Sequence, residues 1–210
     1  MIVNWPERLW VNSPVRRYVQ QQEGRFFKKM GRLAPGGTCL EIGCGCGVGA
    51  RIINEAFAPA AIHALDIDVA MLEAAKKRRK RTAWQDIPLH LMTADAQELP
   101  FSDQSFDAVF NYGIIHHLEN WQQGVSEIAR VLKDGGTFFF EEIYPPLYAN
   151  PLFKIMLDHP RENRFHGPEF RAALADEGLV LQVGYKESRF AILGAAVREA
   201  IGTVDGIANN

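Results

Sequence analysis

Three acids stand at matching stations in this chain. Glu41, Asp66 and Asp95 each lie at or beside the end of a short apolar run of the kind that forms a strand. The first run, Cys39-Leu40-Glu41-Ile42, breaks into four glycines at alternate positions, Gly43, Gly45, Gly47 and Gly49, and then into Ala50-Arg51-Ile52-Ile53-Asn54-Glu55-Ala56. That order reads as strand, tight loop, helix. A loop without Cβ atoms lets the backbone approach a ligand closely, and the amides at the start of the helix face it. Glu41, two residues before the first glycine, would repel a pyrophosphate but suits a cationic ligand without phosphates, through bridging hydrogen bonds. Asp66 falls about twenty residues past the loop, where a doubly wound fold places the carboxylate that grips two ribose hydroxyls. Asp95 closes a third strand. A dehydrogenase needs no carboxylate there, whereas an adenine can donate its exocyclic amine to one. Taken alone, Gly45-Cys46-Gly47-Val48-Gly49-Ala50 also satisfies the dinucleotide pattern G-x-G-x-x-G/A, so the acids must arbitrate.

The elements that must position these groups follow in order. Residues 1–36 precede the first strand, with Ser13 capping and Pro14 opening a helix whose Val15, Tyr18 and Val19 recur at helical spacing. This segment is either a helix packed on the sheet or a lid over cofactor and substrate. Ala60 to Asp68 is the second strand, and Asp68 caps the helix that starts at Val69. That helix runs into six consecutive cations, Lys76 to Arg81, either a solvated face or a contact for anionic lipid or nucleic acid. Leu89 to Ala96 is the third strand and Ala108 to Asn111 the fourth. Trp121 to Leu132 reads as a helix, Lys133 to Gly136 as its stop and turn, and Thr137 to Glu142 as the fifth strand. The proline-rich apolar stretch Ile143 to Pro160 is either a structural plug or an apolar acceptor pocket. Pro168 to Glu177 is a helix, and Leu179 to Tyr185 with Phe190 to Val197 form a closing antiparallel hairpin. The tail beyond Glu199 is expected to fray.

Glu41-Ile42-Gly43-Cys44-Gly45-Cys46-Gly47 resembles the first motif of the class I S-adenosylmethionine-dependent methyltransferases. The segment from Glu98 to Phe110 looks closely like the connection found in their type 11 subgroup, which includes enzymes that methylate quinone rings and lipids. The resemblance covers roughly residues 38 to 142 and implies a doubly wound α/β, Rossmann-like domain with a seven-stranded, mostly parallel sheet and a closing antiparallel hairpin. It implies S-adenosyl-L-methionine as cofactor, held by Glu41, Gly43, Cys44, Gly45 and Gly47, with Asp66 on the ribose and Ile67 and Met71 flanking the adenine. Asp95 then accepts from the adenine amine, the Ala96 amide donates to a ring nitrogen, and Asn111 contacts the methionine part. His116 and His117 fall where the family places the reactive methyl and the acceptor, so an imidazole there could take a proton or orient the acceptor. No Asn/Asp-Pro-Pro-Tyr/Phe signature is present, which counts against amino methylation of adenine or glutamine.

At 210 residues the chain suits a single methyltransferase domain over 1–210, made of the N-terminal helical segment or lid (1–36), the Rossmann-like core (37–199) and a tail (200–210). A net charge of −2 speaks against nucleic acid as substrate and favours a small-molecule or lipid-like acceptor, with peripheral membrane contact through Lys76 to Arg81. The three cysteines, Cys39, Cys44 and Cys46, cluster and read as reduced thiols of a cytoplasmic protein, and Cys44-x-Cys46 lacks the second ligand pair of a metal site. The N-terminus has no secretory pattern and no window approaches a membrane span. The acceptor and the oligomeric state stay open. So do two other classes, a dinucleotide-dependent Rossmann enzyme and a non-catalytic cofactor-binding relative.

Overall fold

The structure is a computed structural model that describes residues 5–31, 33–81, 87–148 and 162–200. Two helices lead, α1 (Trp5–Val11) and α2 (Pro14–Met30). The doubly wound part follows as β1 (Thr38–Ile42), α3 (Val48–Phe57), β2 (Ala61–Asp66), α4 (Val69–Arg81), β3 (Leu89–Thr93) and β4 (Phe106–Tyr112). A short 3-10 turn at Ile115–His117 precedes α5 (Trp121–Val131) and β5 (Leu132–Ile143). The chain ends with α6 (Pro145–Tyr148), α7 (Gly167–Asp176), β6 (Leu179–Leu181), β7 (Lys186–Glu187) and β8 (Ala191–Arg198).

The sheet runs in the order β3-β2-β1-β4-β5-β8-β6, with β7 also paired to β8. The pairs from β3 to β5 are parallel, and β8 is antiparallel to each of its partners. The order reverses between β1 and β4, so the strand tips there open a crevice of the kind in which such sheets bind ligands. Successive residues of a strand face opposite sides. On β5, Phe138 and Phe140 enter the core under α5 and α7, whereas Phe139 joins the opposite core under α2 and α3. There Phe139 stacks on Phe110 with ring centroids 4.8 Å apart, and Phe27 of α2 wedges against both rings.

Several boundaries differ from the sequence reading. The expected turn at Lys133 to Gly136 lies inside β5, where the pairing to β4 shifts register between Phe106 and Ala108. The Lys133 amine holds Asp107 across that irregularity at 2.9 Å, and Gly135 turns at φ +74°. The closing region contains an additional two-residue strand, β7, because the chain after Leu181 swings out with Val183 fully exposed and returns to β8 only at Lys186. On α2 the predicted apolar face is not the packed one. Val15, Tyr18 and Val19 are exposed, and Glu23, Gly24 and Phe27 face the protein instead. The cation run is dispersed by helical rotation. Arg79 turns in to the carbonyls of Leu89 and Ile87, and Arg78 reaches the Cys46 sulfur at 2.9 Å, while Lys76, Lys77 and Lys80 stay in solvent. Residues 149 to 160 of the expected plug or acceptor pocket, and the tail from 201, lie outside the described residues.

Candidate cofactor and acceptor site

The cleft begins where β1 ends. Gly43, Gly45 and Gly47 all adopt positive φ, at +64°, +51° and +80°. Asp66 fixes the loop: one carboxylate oxygen accepts from the Gly45 amide at 2.7 Å and the other from the Asp68 amide at 2.8 Å. A side chain at Gly45 would meet only the tip of Met71, at 3.3 Å, so the backbone there lies open as a cradle. Burial pushes the Cys44 thiol well up, with Glu41 and Asp66 adding to the effect, so Cys44 lines the cleft as a small neutral group.

Glu41 is not in the cleft wall. It is 2% exposed and turned beneath the loop toward the start of α3, so close that a Cβ on Gly49 would stand 1.9 Å from its Oε1. Burial and the neighbouring Asp66 push its carboxyl well above the usual range, and a hydrogen bond from the Ala50 amide pulls the other way. Its Oε2 lacks a hydrogen-bond partner. By accepting from the Ala50 amide, an otherwise unpaired donor in the first turn, Glu41 acts as an internal cap of α3. Glu41 therefore shapes the loop from below and does not face the cleft. Gly47, at the N-cap of α3, likewise shapes the loop without lining the cleft.

The far wall carries Asp66, Ile67 and Met71 on one side and Asp95 and Ala96 on the other. Asp68 lines the cleft too, while its side chain caps α4 through the Ala70 amide at 2.9 Å and pairs with Arg8. The Asp95 carboxylate is oriented by the Gln97 amide at 2.9 Å and by the Gln97 side chain at 3.2 Å. Asn111 departs from expectation. It is fully buried, gives its amide to Glu142 at 2.5 Å and to the Glu141 carbonyl at 3.2 Å, and accepts from Ile114 at 2.9 Å. Both ends are consumed beneath the floor, and Asn111 itself does not line the cleft.

The two histidines separate. His117 lines the cleft beside Gly113 and Leu118. His116 is buried, with Nδ1 2.6 Å from a Glu142 oxygen and its ring 4.3 Å from that of His117. Burial pushes Glu142 up to about 7, against hydrogen bonds from Asn111 and the amides of Ile115 and His116. The same burial holds His116 well below the usual imidazole range. His116 is thus a support behind His117 and not a group facing a ligand.

Sequence reasoning allowed a lid but named none of the residues by which it lines the cleft. Arg16 and Gln20 of α2 line the cleft from above with Val11. The Arg16 guanidinium reaches the Tyr112 carbonyl at 3.0 Å, Glu141 at 3.2 Å and Glu23 at 2.6 Å. An arginine in a polar stretch carries no motif. The only hint was the pair Glu141-Glu142 closing a strand of phenylalanines, which asks for buried partners. Both features left open for the N-terminal segment occur on α2, which packs Phe27 into the core and lines the cleft with Arg16 and Gln20.

The residues present fit an adenosyl cofactor on two observations of the structure: the open cradle at Gly45 and carboxylates at both Asp66 and Asp95 on one cleft. A doubly wound sheet with a glycine loop, an acid at the tip of β2 and another just after β3 defines a nucleotide-binding enzyme fold. Residues 40–140 match the family model described as a methyltransferase domain. The chain is 32% identical over 144 residues to a fatty-acid O-methyltransferase of Mycolicibacterium smegmatis, covering 69% of this chain and 44% of that protein. It is 34% identical over 110 residues to a phthiotriol/phenolphthiotriol dimycocerosates methyltransferase of Mycobacterium tuberculosis, covering 52% of this chain and 39% of the other. The chain therefore spans less than half the length of these curated relatives. Its fold superposes on a S-adenosylmethionine-dependent methyltransferase from Aquifex aeolicus with a TM-score of 0.72 at 17% identity, covering 93% of this chain and 99% of that one. The methyltransferase-domain match over residues 40–140 and these relatives support a class I S-adenosylmethionine-dependent methyltransferase.

Proposed function

We propose that this chain transfers a methyl group from S-adenosylmethionine to a lipid-like or small apolar acceptor, with an oxygen as the acceptor atom. The observation that carries the proposal is the single cleft that unites Asp66, Asp95 and the Gly43 to Gly45 loop with His117. The names of the two relatives, one a fatty-acid O-methyltransferase, support the acceptor class. The bound cofactor supplies an electrophilic methyl on a positively charged sulfur, so the protein must orient, exclude water and handle any acceptor proton.

Asp66 takes the ribose hydroxyls while holding the loop amide, and Asp95 with the Ala96 amide takes the adenine edge between Ile67 and Met71. The positive charge for the amino-acid carboxylate comes from Arg16, replacing Asn111 in that part of the reading. His117 orients the acceptor oxygen or receives its proton, and the Glu142 to His116 pair steadies the turn that carries it. Reduced thiols at Cys39, Cys44 and Cys46 suit a cytoplasmic setting.

Calorimetry with S-adenosylhomocysteine and with NAD tests the cofactor, and transfer of label from methyl-labelled S-adenosylmethionine into fatty acids and hydroxylated lipids tests the acceptor. Binding of the former compound and a labelled, chloroform-soluble ester or ether are expected. Tight NAD binding with no affinity for S-adenosylhomocysteine would overturn the cofactor assignment. Label confined to protein or nucleic acid would overturn the acceptor class.

A further inference from the structure

The roof of the cleft turns an apolar surface to solvent. Leu9 is 65% exposed, Trp10 51%, Val15 58%, Tyr18 63% and Val19 38%, all within eleven consecutive residues of α1 and α2. Ile67 and Val69 add exposed apolar groups beside Asp68, to which Arg8 of α1 is paired. The patch is continuous with the cleft, because Val11 and Ile67 line its wall. Along the outer face of α2 the residues change character in register. Tyr18, Gln22, Arg25 and Lys29 follow at intervals of four, three and four, one stripe of a helix, and Arg25 and Lys29 are exposed. Between residues 8 and 31 the sole acid is Glu23, and it is buried against Arg16. The outer face of α2 is therefore cationic on a chain whose net charge is −2.

We propose that α1 and α2 form a docking face for an anionic lipid surface, with Trp10, Val15, Tyr18 and Val19 entering the headgroup boundary and Arg25 and Lys29 meeting the phosphates. Aromatic residues at the edge of an apolar set, followed along the same helix by cations and no exposed acid, are the pattern of interfacial helices. The cations come from α2, since Arg78 and Arg79 of the basic run are turned inward. The location supplies a purpose that rests on the function proposed above: an apolar acceptor could pass from the lipid into the cleft beneath Val11 without crossing water.

The test is co-sedimentation of the full chain with vesicles of phosphatidylcholine alone and of phosphatidylcholine with phosphatidylglycerol. Binding to the anionic vesicles, weakened by salt, is expected. Trp10→Asp with Tyr18→Asp should abolish it, and Arg25→Glu with Lys29→Glu should weaken it by about tenfold or more. Both double variants should keep the wild-type affinity for S-adenosylhomocysteine, which shows that they fold. Undiminished vesicle binding by the variants, or none by the wild type, overturns the proposal. So does a lipid-free dimer that the Trp10→Asp/Tyr18→Asp protein loses in analytical ultracentrifugation, which would make the patch an interface between copies. Vesicle binding needs no turnover, so intact lipid binding without cofactor binding would sink the function proposed above and leave the docking face standing.

Discussion

Arg16 concentrates the electrostatics of this protein in one side chain. A single guanidinium lies between Glu23 and Glu141, both withdrawn from water, so two carboxyls share one positive charge. Burial and the Glu141 charge push Glu23 up to about 8, against the pull of Arg16. Its folded value lies above the ordinary 4.5, so protonation favours the folded state: that contribution is whole below about pH 4.5 and is lost as pH rises through about 8. Glu23→Gln removes the titration. The wild type should therefore lose more stability than the variant between those limits, on the order of a few kcal/mol. Thermal melts across the range check this, and parallel curves would mean that the pair with Arg16 keeps Glu23 ionised throughout. Asp66 and Asp68 differ in a related way. Asp66→Ala should weaken S-adenosylhomocysteine binding by about 2 kcal/mol and also loosen the loop, whereas Asp68→Ala should act on stability, by about 1 to 2 kcal/mol, through the lost cap and the lost pair with Arg8. Calorimetry and denaturant titration separate the two effects. For the histidines, His117→Ala should cut turnover with unchanged cofactor affinity, while His116→Ala should lower the melting temperature, because it strips a partner from buried Glu142.

At the scale of elements, the turn from β1 into α3 depends on a helix approaching an acid closely enough to be capped by it. Gly49→Ala would drive a methyl into Glu41 Oε1, which the surrounding core holds in place. The expected cost is about 2 to 3 kcal/mol of stability, with loss of cofactor binding as the loop shifts; a variant with wild-type melting temperature and affinity would show that α3 can slide. Gly49 falls at a variable position of the dinucleotide-like pattern, so it serves the contact between strand and helix and says nothing about the ligand. This part of the fold was legible because strands ending in acid and helices beginning after glycine leave local signals. Asn111 was misplaced since its station at a strand end does not reveal which side of the floor its side chain takes. The spacing of Val15, Tyr18 and Val19 identified a face of α2 but could not reveal whether anything covers it. Arg16 was missed because its partners Tyr112 and Glu141 are 96 and 125 residues away in sequence.

Across the whole molecule, α2 is fastened in two different ways. Its C-terminal half is welded to the sheet by Phe27 among Phe110, Tyr112 and Phe139, and by Gly24, whose lack of a side chain lets it approach Ile52 of α3. Its N-terminal half, with α1, is held over the cleft by the ion pairs Arg8 to Asp68 and Arg16 to Glu141, by the Arg16 bond to the Tyr112 carbonyl and by Val11 packed against the cluster of Cys46, Val48, Ile52 and Met71. The large buried rings that hold the Phe27 region are missing among the described residues of this half, so the roof should open in advance of the body. A ligand that fills the cleft beneath Val11, Arg16 and Gln20 adds contacts only the closed roof can make, which shifts the balance toward closure. Hydrogen exchange with and without saturating S-adenosylhomocysteine measures this. Amides from Arg8 to Gln20 should slow by about tenfold or more on binding, while those near Phe27 should be slow in both states. Arg8→Ala should speed exchange in α1 without the ligand and leave the Phe27 region unchanged. Equal protection of both halves in the ligand-free protein would mean that the roof is as firmly built as the core, and that cofactor and acceptor must enter by another route.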